Sequence, residues 1–447
     1  MPHAAARPAA KTKTCQQQHA IPRHRERDTS YVPLYTILVT LAIAVLAAWL
    51  TTSSNPMLSR LNEVTRIVRG VHTNPLPGAT VTATAARSYP TMTTFKDGTK
   101  VPSDWHKGPE DSFHGKISAD GPFKPEKDRY HLYIGLFCPF AHRANFQRLY
   151  KQLDKYAGIE VSIVKPYPKD FPDTPSYPGW RFNHPDEAQE PGGADYEGAT
   201  KDKLFGSRYM NQIYFKADPG YKGKYSVPVL WDKKLETIVN NESDELLRDL
   251  NTAFDSLLPD DVAQLDLYPK ELHKQIDSME KWVQAHLNTG VYKAGFAKDQ
   301  QGYDANVLQP FAALNKLEKI AQQSGGPYIL GKQMSEIDVR VFATLIRFDT
   351  VYVQHFKCNL GMIRYKYPIL NNWLKHMYWD HDAYKNSTNF RHIKENYTKS
   401  HYDVNPHAIT PWGPYPDIEK GYEKDWSKVE RGGIDMPEVL QWEKKMG

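Results

Sequence analysis

The stretch from Tyr130 to Leu153 narrows the possible folds more than any other part of the chain. Leu132, Ile134 and Leu136 alternate as a strand requires. Cys138-Pro139-Phe140-Ala141-His142-Arg143 follows, and then Phe146, Leu149, Tyr150 and Leu153 recur at helical spacing. Pro139 suits a first helical position, where its missing N–H costs nothing. The spacing therefore predicts a helix that starts immediately after Cys138. A cysteine in that place sits at the positive end of the helix dipole, beside unpaired N–H donors. Both favour the thiolate and lower its pKa, and Arg143 adds a cation nearby. The strand–Cys–Pro–helix context favours a reactive thiol over a small buried hydrophobe.

A second alternating segment, Ile159 to Ile163, completes a strand–helix–strand unit and predicts a parallel pair. Ser226-Val227-Pro228-Val229-Leu230-Trp231 reads as a strand whose proline fits an edge or a cis bond. In such a sheet the residue before the proline offers its backbone N–H and C=O to a bound thiol. Thr237-Ile238-Val239 leads into Asn240-Asn241-Glu242-Ser243 and a helical stripe of Leu246, Leu247, Leu250 and Phe254. Asn241 or Ser243 is expected to cap that helix, whose start would also hold a carboxylate, while Glu242 would accept from an ammonium group. Capping alone explains the same four residues equally well.

The second half of the chain changes period. Leu272, Ile276, Met279, Val283 and Leu287 step by three and four, as do Phe311, Leu314, Leu317 and Ala321. Ser335-Glu336-Ile337-Asp338 is a capping box that opens a third helix with Val341, Leu345 and Phe348 on its core stripe. A fourth follows Pro368 along Leu370, Trp373, Leu374 and Met377. With no strand-like alternation here, this half is expected to be a helical bundle.

Composition removes several function classes. A net charge of +5 over 447 residues, without a Lys/Arg block in the folded part, gives no electrostatic footprint for nucleic acid. Cys15, Cys138 and Cys358 are too far apart for a zinc-type spacing or a disulfide framework and fit a reducing compartment. No Gly-rich phosphate loop and no HExxH pair is present, which argues against hydride transfer and against a metal enzyme. Residues 1 to 25 contain no Asp or Glu but carry Arg7, Lys11, Lys13, Arg23 and Arg25, as a mitochondrial presequence or a plain basic tail would. Residues 32–50, VPLYTILVTLAIAVLAAWL, approach the roughly 20 apolar residues that cross a bilayer. They are expected to form a single transmembrane helix, with arginines on both sides that leave its orientation open.

Taken in order, Cys138-Pro139-Phe140-Ala141-His142-Arg143, Pro178-Gly179-Trp180, VPVLWDK (227–233), TIVNNES (237–243), GVYKAGF (290–296) and RFDTVYVQHFKCN (347–359) resemble the glutathionyl-hydroquinone reductases, the xi-class, omega-like glutathione transferases. The resemblance runs from about Trp105 to Gly413. It implies the glutathione transferase fold: a thioredoxin-like α/β N-terminal domain over 106–258 and an all-α helical-bundle C-terminal domain over 259–413. Before these come a basic tail (1–31), the transmembrane helix (32–50) and a linker (51–105), and after them a C-terminal tail (414–447). By resemblance, Cys138 is the catalytic cysteine and glutathione the co-substrate, with no metal. Trp180, Val227, Glu242 and Ser243 look like the glutathione contacts, Val227 through its backbone, and Tyr292 and Tyr397 like the tyrosines facing a quinol. Cys358 falls in a structural block. The family usually carries Trp where this chain has Phe140, which puts fine substrate preference in doubt. A homodimer is implied. The expected placement is membrane-anchored through residues 32–50, with the catalytic domain in the cytoplasm or, alternatively, the mitochondrion. A broader omega-like thioltransferase or dehydroascorbate reductase, and a non-catalytic membrane-tethered scaffold, are the competing readings.

Overall fold

A computed structural model describes residues 92–94, 100–102, 113–168 and 178–446, all within one compact unit, Ser88–Gly447. Two short strands, β1 (Met92–Thr94) and β2 (Lys100–Pro102), pair antiparallel. The main sheet has four strands in the order β4-β3-β5-β6, formed by β3 (Tyr130–Ile134), β4 (Glu160–Ile163), β5 (Val229–Asp232) and β6 (Thr237–Asn240). β3 and β4 are parallel, as the strand–helix–strand pattern predicts, while β5 runs antiparallel to both β3 and β6. Every residue of β3 is buried, because the strand lies inside the sheet with both faces covered. At the β3–β5 register, Arg129 reaches Asp232 from Nε and Nη2, an ion pair shielded from solvent. His131 Nε2 meets Ser162 Oγ across the parallel pair at 2.8 Å.

Helix α1 (Pro139–Tyr150) starts directly after Cys138 with proline at its first position. Helices α2 (Met210–Ala217) and α3 (Ser243–Thr252) complete the α/β half. The helical half contains α4 (His273–Trp282), α5 (Gly290–Gly295), α6 (Gln300–Ser324), α7 (Glu336–Arg347), α8 (Pro368–Asp380), α9 (Asp382–Ser387), α10 (Phe390–Ser400) and α11 (Pro437–Lys445). The continuous helix expected from Leu272 to Leu287 is instead α4 followed by a π-helical turn, Val283–Asn288. A second π turn, Phe348–Tyr352, extends α7. Such turns frequently mark functional sites because they re-aim side chains without ending the helix.

Two apolar cores result, one around the sheet and one inside the bundle, and α1 joins them. It packs on α3 and also on α7 and α9, and Phe146 of α1 belongs to the bundle core, with its ring 4.1 Å from that of Tyr384. The capping box forms as expected. Asp338 accepts from Ser335 N and Oγ, and also from Ile329 N and the Trp373 indole, so one buried carboxylate ties three segments together. Glu318 does the same on the far side, accepting from Ile369 N, Leu370 N and Gly432 N. Through Gly432 and α11, residues beyond 414 pack onto α6.

The expected transmembrane helix is corrected here. No helix of the described residues is long and apolar enough to cross a membrane. Even the 25-residue α6 carries Asp304, Lys316, Glu318 and Lys319 and packs as one layer of the bundle. Residues 32–50 lie outside the described residues, as does most of the expected linker. The membrane-anchored placement, in cytoplasm or mitochondrion, rested on such a helix and gains no support from the described residues.

Candidate active site

Cys138 occupies the N-cap position of α1 in extended backbone conformation. Its sulfur accepts from Ala141 N at 3.5 Å and lies 3.6 Å from the carbonyl of Val227. The contact with Val227 joins two segments that are 89 residues apart, and the Val227–Pro228 bond that presents the carbonyl is cis. Burial pushes the Cys138 thiol up from its ordinary value, which differs from the lowering expected from sequence. The N–H groups of Ala141 and Phe140, with Arg347 and Arg143, oppose that effect and favour the thiolate. The helix start thus supplies the stabilising groups the sequence implies, inside a drier setting than a helix terminus alone predicts.

His142, one turn on from Cys138, does not pair with the sulfur. Its Nε2 meets Ser387 Oγ at 2.9 Å and its Nδ1 faces Arg347 at 3.4 Å. Burial, reinforced by Arg347 and Arg143, holds this imidazole neutral.

Trp180 is placed by a turn and a bridge. Gly179 has φ +83°, and a Cβ there would meet the Tyr225 Cβ at 2.9 Å, so only glycine makes the turn comfortably. Beyond it, Met210 N donates to Trp180 O, and the indole packs on Phe137 with ring centroids 4.4 Å apart. Trp180 and Cys138 therefore flank the same short loop, Leu136–Phe137.

Glu242 is the N-cap residue of α3, and no side chain caps that helix. Asn241, a predicted cap, is engaged elsewhere: Oδ1 accepts from Phe113 N and Nδ2 donates to the Tyr214 hydroxyl. Ser243, the other predicted cap, lies inside the helix, and its Oγ accepts from Arg143 Nη1 at 3.4 Å. An α3 start without a side-chain cap suits an acidic group of a ligand.

Tyr292, on α5, and Tyr397, on α10, the two tyrosines the family resemblance implies for the quinol side, have their hydroxyl oxygens 2.5 Å apart. A third, Tyr352, was not singled out from sequence: its hydroxyl is 3.0 Å from that of Tyr397 and 3.5 Å from that of Tyr292. Burial pushes all three phenols upward, so they remain protonated donors at neutral pH. Tyr352 also lies within electrostatic reach of Cys138 and Arg347. It sits at the end of a π turn, a geometry that no apolar periodicity reveals.

Comparison with known proteins now decides the family. The family model for the glutathione S-transferase C-terminal domain matches residues 300–376. Glutathione S-transferase omega-like 2 of Schizosaccharomyces pombe is 43% identical, over 69% of this chain and 93% of that protein. Glutathionyl-hydroquinone reductase YqjG of Escherichia coli is 41% identical, over 70% of this chain and 90% of that protein. The crystal structure of the xi glutathione transferase ECM4 of Saccharomyces cerevisiae in complex with glutathione superposes with a TM-score of 0.64 at 39% identity, covering 69% of this chain and 99% of that one. The chain belongs to the xi-class glutathione transferases.

In this xi-class chain the two halves are clamped beside the site by charge. Asp244, in the first turn of α3, receives both Arg143 from α1 and Arg340 from α7. Burial works against its charged form, but the two guanidinium groups outweigh it and hold the carboxyl below its usual range. Arg143 also donates from Nη2 to Gln284 in the first π turn at 2.9 Å, and its guanidinium stands 5.3 Å from the Phe140 ring centroid. Arg143 is thus engaged by Asp244 and Gln284, and its role as the nearby cation expected from sequence is shared with Arg347. Among the described residues no group of three or more His, Cys, Asp or Glu is placed to hold a metal ion.

Proposed function

We propose that this enzyme reduces glutathionyl-hydroquinones with glutathione, using Cys138 as nucleophile. The observation that carries the reading is a helix-capping thiol against the Val227 carbonyl, beside a hydrogen-bonded cluster of three protonated tyrosines whose member Tyr352 lies in electrostatic reach of the sulfur. In this reading, glutathione lies along Val227 with an acidic end at the uncapped start of α3, beside Ser243. Glu242 accepts from the glutathione ammonium group, and Trp180 closes over the molecule. The Cys138 thiolate attacks the sulfur of the conjugate, the bond from sulfur to the aromatic carbon breaks, and a proton delivered by way of Tyr292, Tyr352 or Tyr397 completes the hydroquinone. The Cys138–glutathione disulfide is then opened by a second glutathione. One free thiol and the thioether sulfur of the conjugate become a disulfide while the aromatic carbon exchanges sulfur for hydrogen, so electrons balance without a metal. Ala141 stands where a CxxC pair would have its second cysteine, so the resolving thiol comes from solution.

The omega-like name of the fission yeast relative keeps a general thioltransferase as the second reading. The test compares turnover of a glutathionyl-hydroquinone with that of a small glutathione mixed disulfide. Faster turnover of the quinol conjugate supports the proposal. Disulfide reduction with no quinol release moves the assignment to the thioltransferase. A homodimer is also proposed, and a monomer mass by sedimentation at assay concentration excludes it.

A further inference from the structure

Arg347 ends α7 and is fully buried. Its guanidinium donates from Nε to the carbonyl of Phe137 at 3.0 Å, from Nη2 to that of Leu136 at 3.4 Å and from Nη1 to Ala343 O at 2.6 Å. Its remaining partner is Nδ1 of the neutral His142, free to accept because Ser387 Oγ donates its own hydrogen to Ala383 O and so accepts from Nε2. Every acceptor in that set is uncharged. A guanidinium does not give up its proton, and a buried cation without an anion is strongly disfavoured. The other buried arginines around the site show the usual solution: Arg129 pairs with Asp232, while Arg143 and Arg340 share Asp244. Arg347 has no carboxylate partner among the described residues. Its guanidinium sits instead on the carbonyl of Phe137, the residue before Cys138, and its charge favours an anion at Cys138, Tyr352 and Tyr397.

The groups around the Cys138 sulfur can be taken element by element. From its own helix come Arg143, already held by Asp244, and neutral His142. From the helical half come Arg347 and the protonated Tyr352. We propose that Arg347 is a positioning residue and the counter-ion of the Cys138 thiolate, holding the Leu136–Phe137 backbone in place while presenting to the sulfur a cation that no described carboxylate neutralises. The helical half thereby activates the nucleophile of the other half, and a domain contact becomes part of the chemistry. The inference rests on Cys138 being the reactive thiol, and is independent of which substrate it serves.

Alkylation of Cys138 by iodoacetamide across the pH range, on the full chain with the Cys138→Ser form as background, reads the thiolate without any substrate. Arg347→Gln is expected to move the midpoint up by about one pH unit and to slow labelling about tenfold below it. Arg347→Lys is expected to recover most of that loss. An unchanged midpoint in Arg347→Gln, or a Lys form no better than the Gln form, reduces the residue to a strut and overturns the proposal. Should Arg347→Gln fail to fold, the wild type decides. Anionic iodoacetate, relative to iodoacetamide, is expected to react several-fold faster at Cys138 than at free glutathione, as a local cation requires. A ratio at or below the free-thiol value overturns the proposal. Failure of quinol turnover alongside an intact labelling profile would sink the substrate reading and leave the Arg347 assignment standing.

Discussion

The α/β half and the helical half build the site in different ways. The α/β half contributes mainly backbone and helix ends: the N-cap of α1 under Cys138, the Val227 carbonyl and the uncapped start of α3. The helical half contributes side chains carried in from α5, α7, α10 and a π turn, namely Tyr292, Arg347, Tyr397 and Tyr352. Backbone features follow from the fold and survive most substitutions. Side-chain clusters depend on packing between helices far apart in sequence. On the proposed mechanism, the first half fixes the type of chemistry, and the second tunes the leaving group and the nucleophile's charge.

The largest effect that tests this division is at Cys138. Cys138→Ser is expected to lower turnover of a glutathionyl-hydroquinone by at least about a thousandfold, because an alcohol does not replace a thiolate nucleophile. Glutathione affinity, measured by calorimetry, is expected to stay within a few-fold of wild type, since the proposed docking groups are elsewhere. Substantial residual turnover would mean that the helical half carries chemistry of its own.

Next comes the clamp. Asp244→Ala leaves Arg143 and Arg340, both with side chains 1% exposed, without their shared carboxylate. Removing one partner of a fully buried pair costs about 3–5 kcal/mol. The Asp244 side chain is 41% exposed, so solvent screening reduces this to about 2 kcal/mol. Urea unfolding checks the value, and a midpoint unchanged from wild type would show that the other contacts between the halves, Arg248 to Glu336 and Arg347 to Phe137 among them, hold them without Asp244.

A smaller effect separates the two contributions to rate. Tyr397→Phe is expected to lower turnover about ten- to a hundredfold, at or below the lower end of general-acid contributions, because Tyr292 and Tyr352 remain as donors. Cys138 alkylation should be unchanged. A parallel loss of alkylation would place the tyrosines in nucleophile activation rather than proton delivery.

What the sequence made legible follows the same division. The Cys138 N-cap was readable because strand alternation, Pro139 and the Phe146 stripe are local, and so was the Ser335–Asp338 capping box. The α3 start was misassigned because Asn241 is engaged by Phe113 and Tyr214, partners that local sequence does not reveal. Helix α10 gave little signal because its buried side includes His392, Asn396 and Thr398, polar residues that blur the stripe. Tyr352 and Arg347 stood in a recognisable block, but only tertiary packing aims them at Cys138. The family resemblance supplied Tyr292 and Tyr397, which periodicity alone would not have paired.

The last effect concerns acid stability and reaches both halves. Burial pushes His131 in β3 down to about 4. In the helical half, burial does the same to His401, to about 4, and burial with the neighbouring His401 takes His355 to about 3. An unfolded histidine titrates near 6.5, so between that value and the folded pKa the unfolded chain binds more protons. The stabilisation is therefore fully present above about pH 6.5 and is lost as pH falls toward 4, by up to about 1.4 kcal/mol per pH unit for each histidine. Urea midpoints are expected to fall steadily between neutral pH and pH 5. Amide exchange, corrected for its intrinsic pH dependence, can follow β3 and α10 separately. Equal loss of protection in both would show that they unfold together, as a shared α1 requires. Loss confined to α10 would show that the helical half opens first, taking its tyrosines away while the Cys138 cap stays formed.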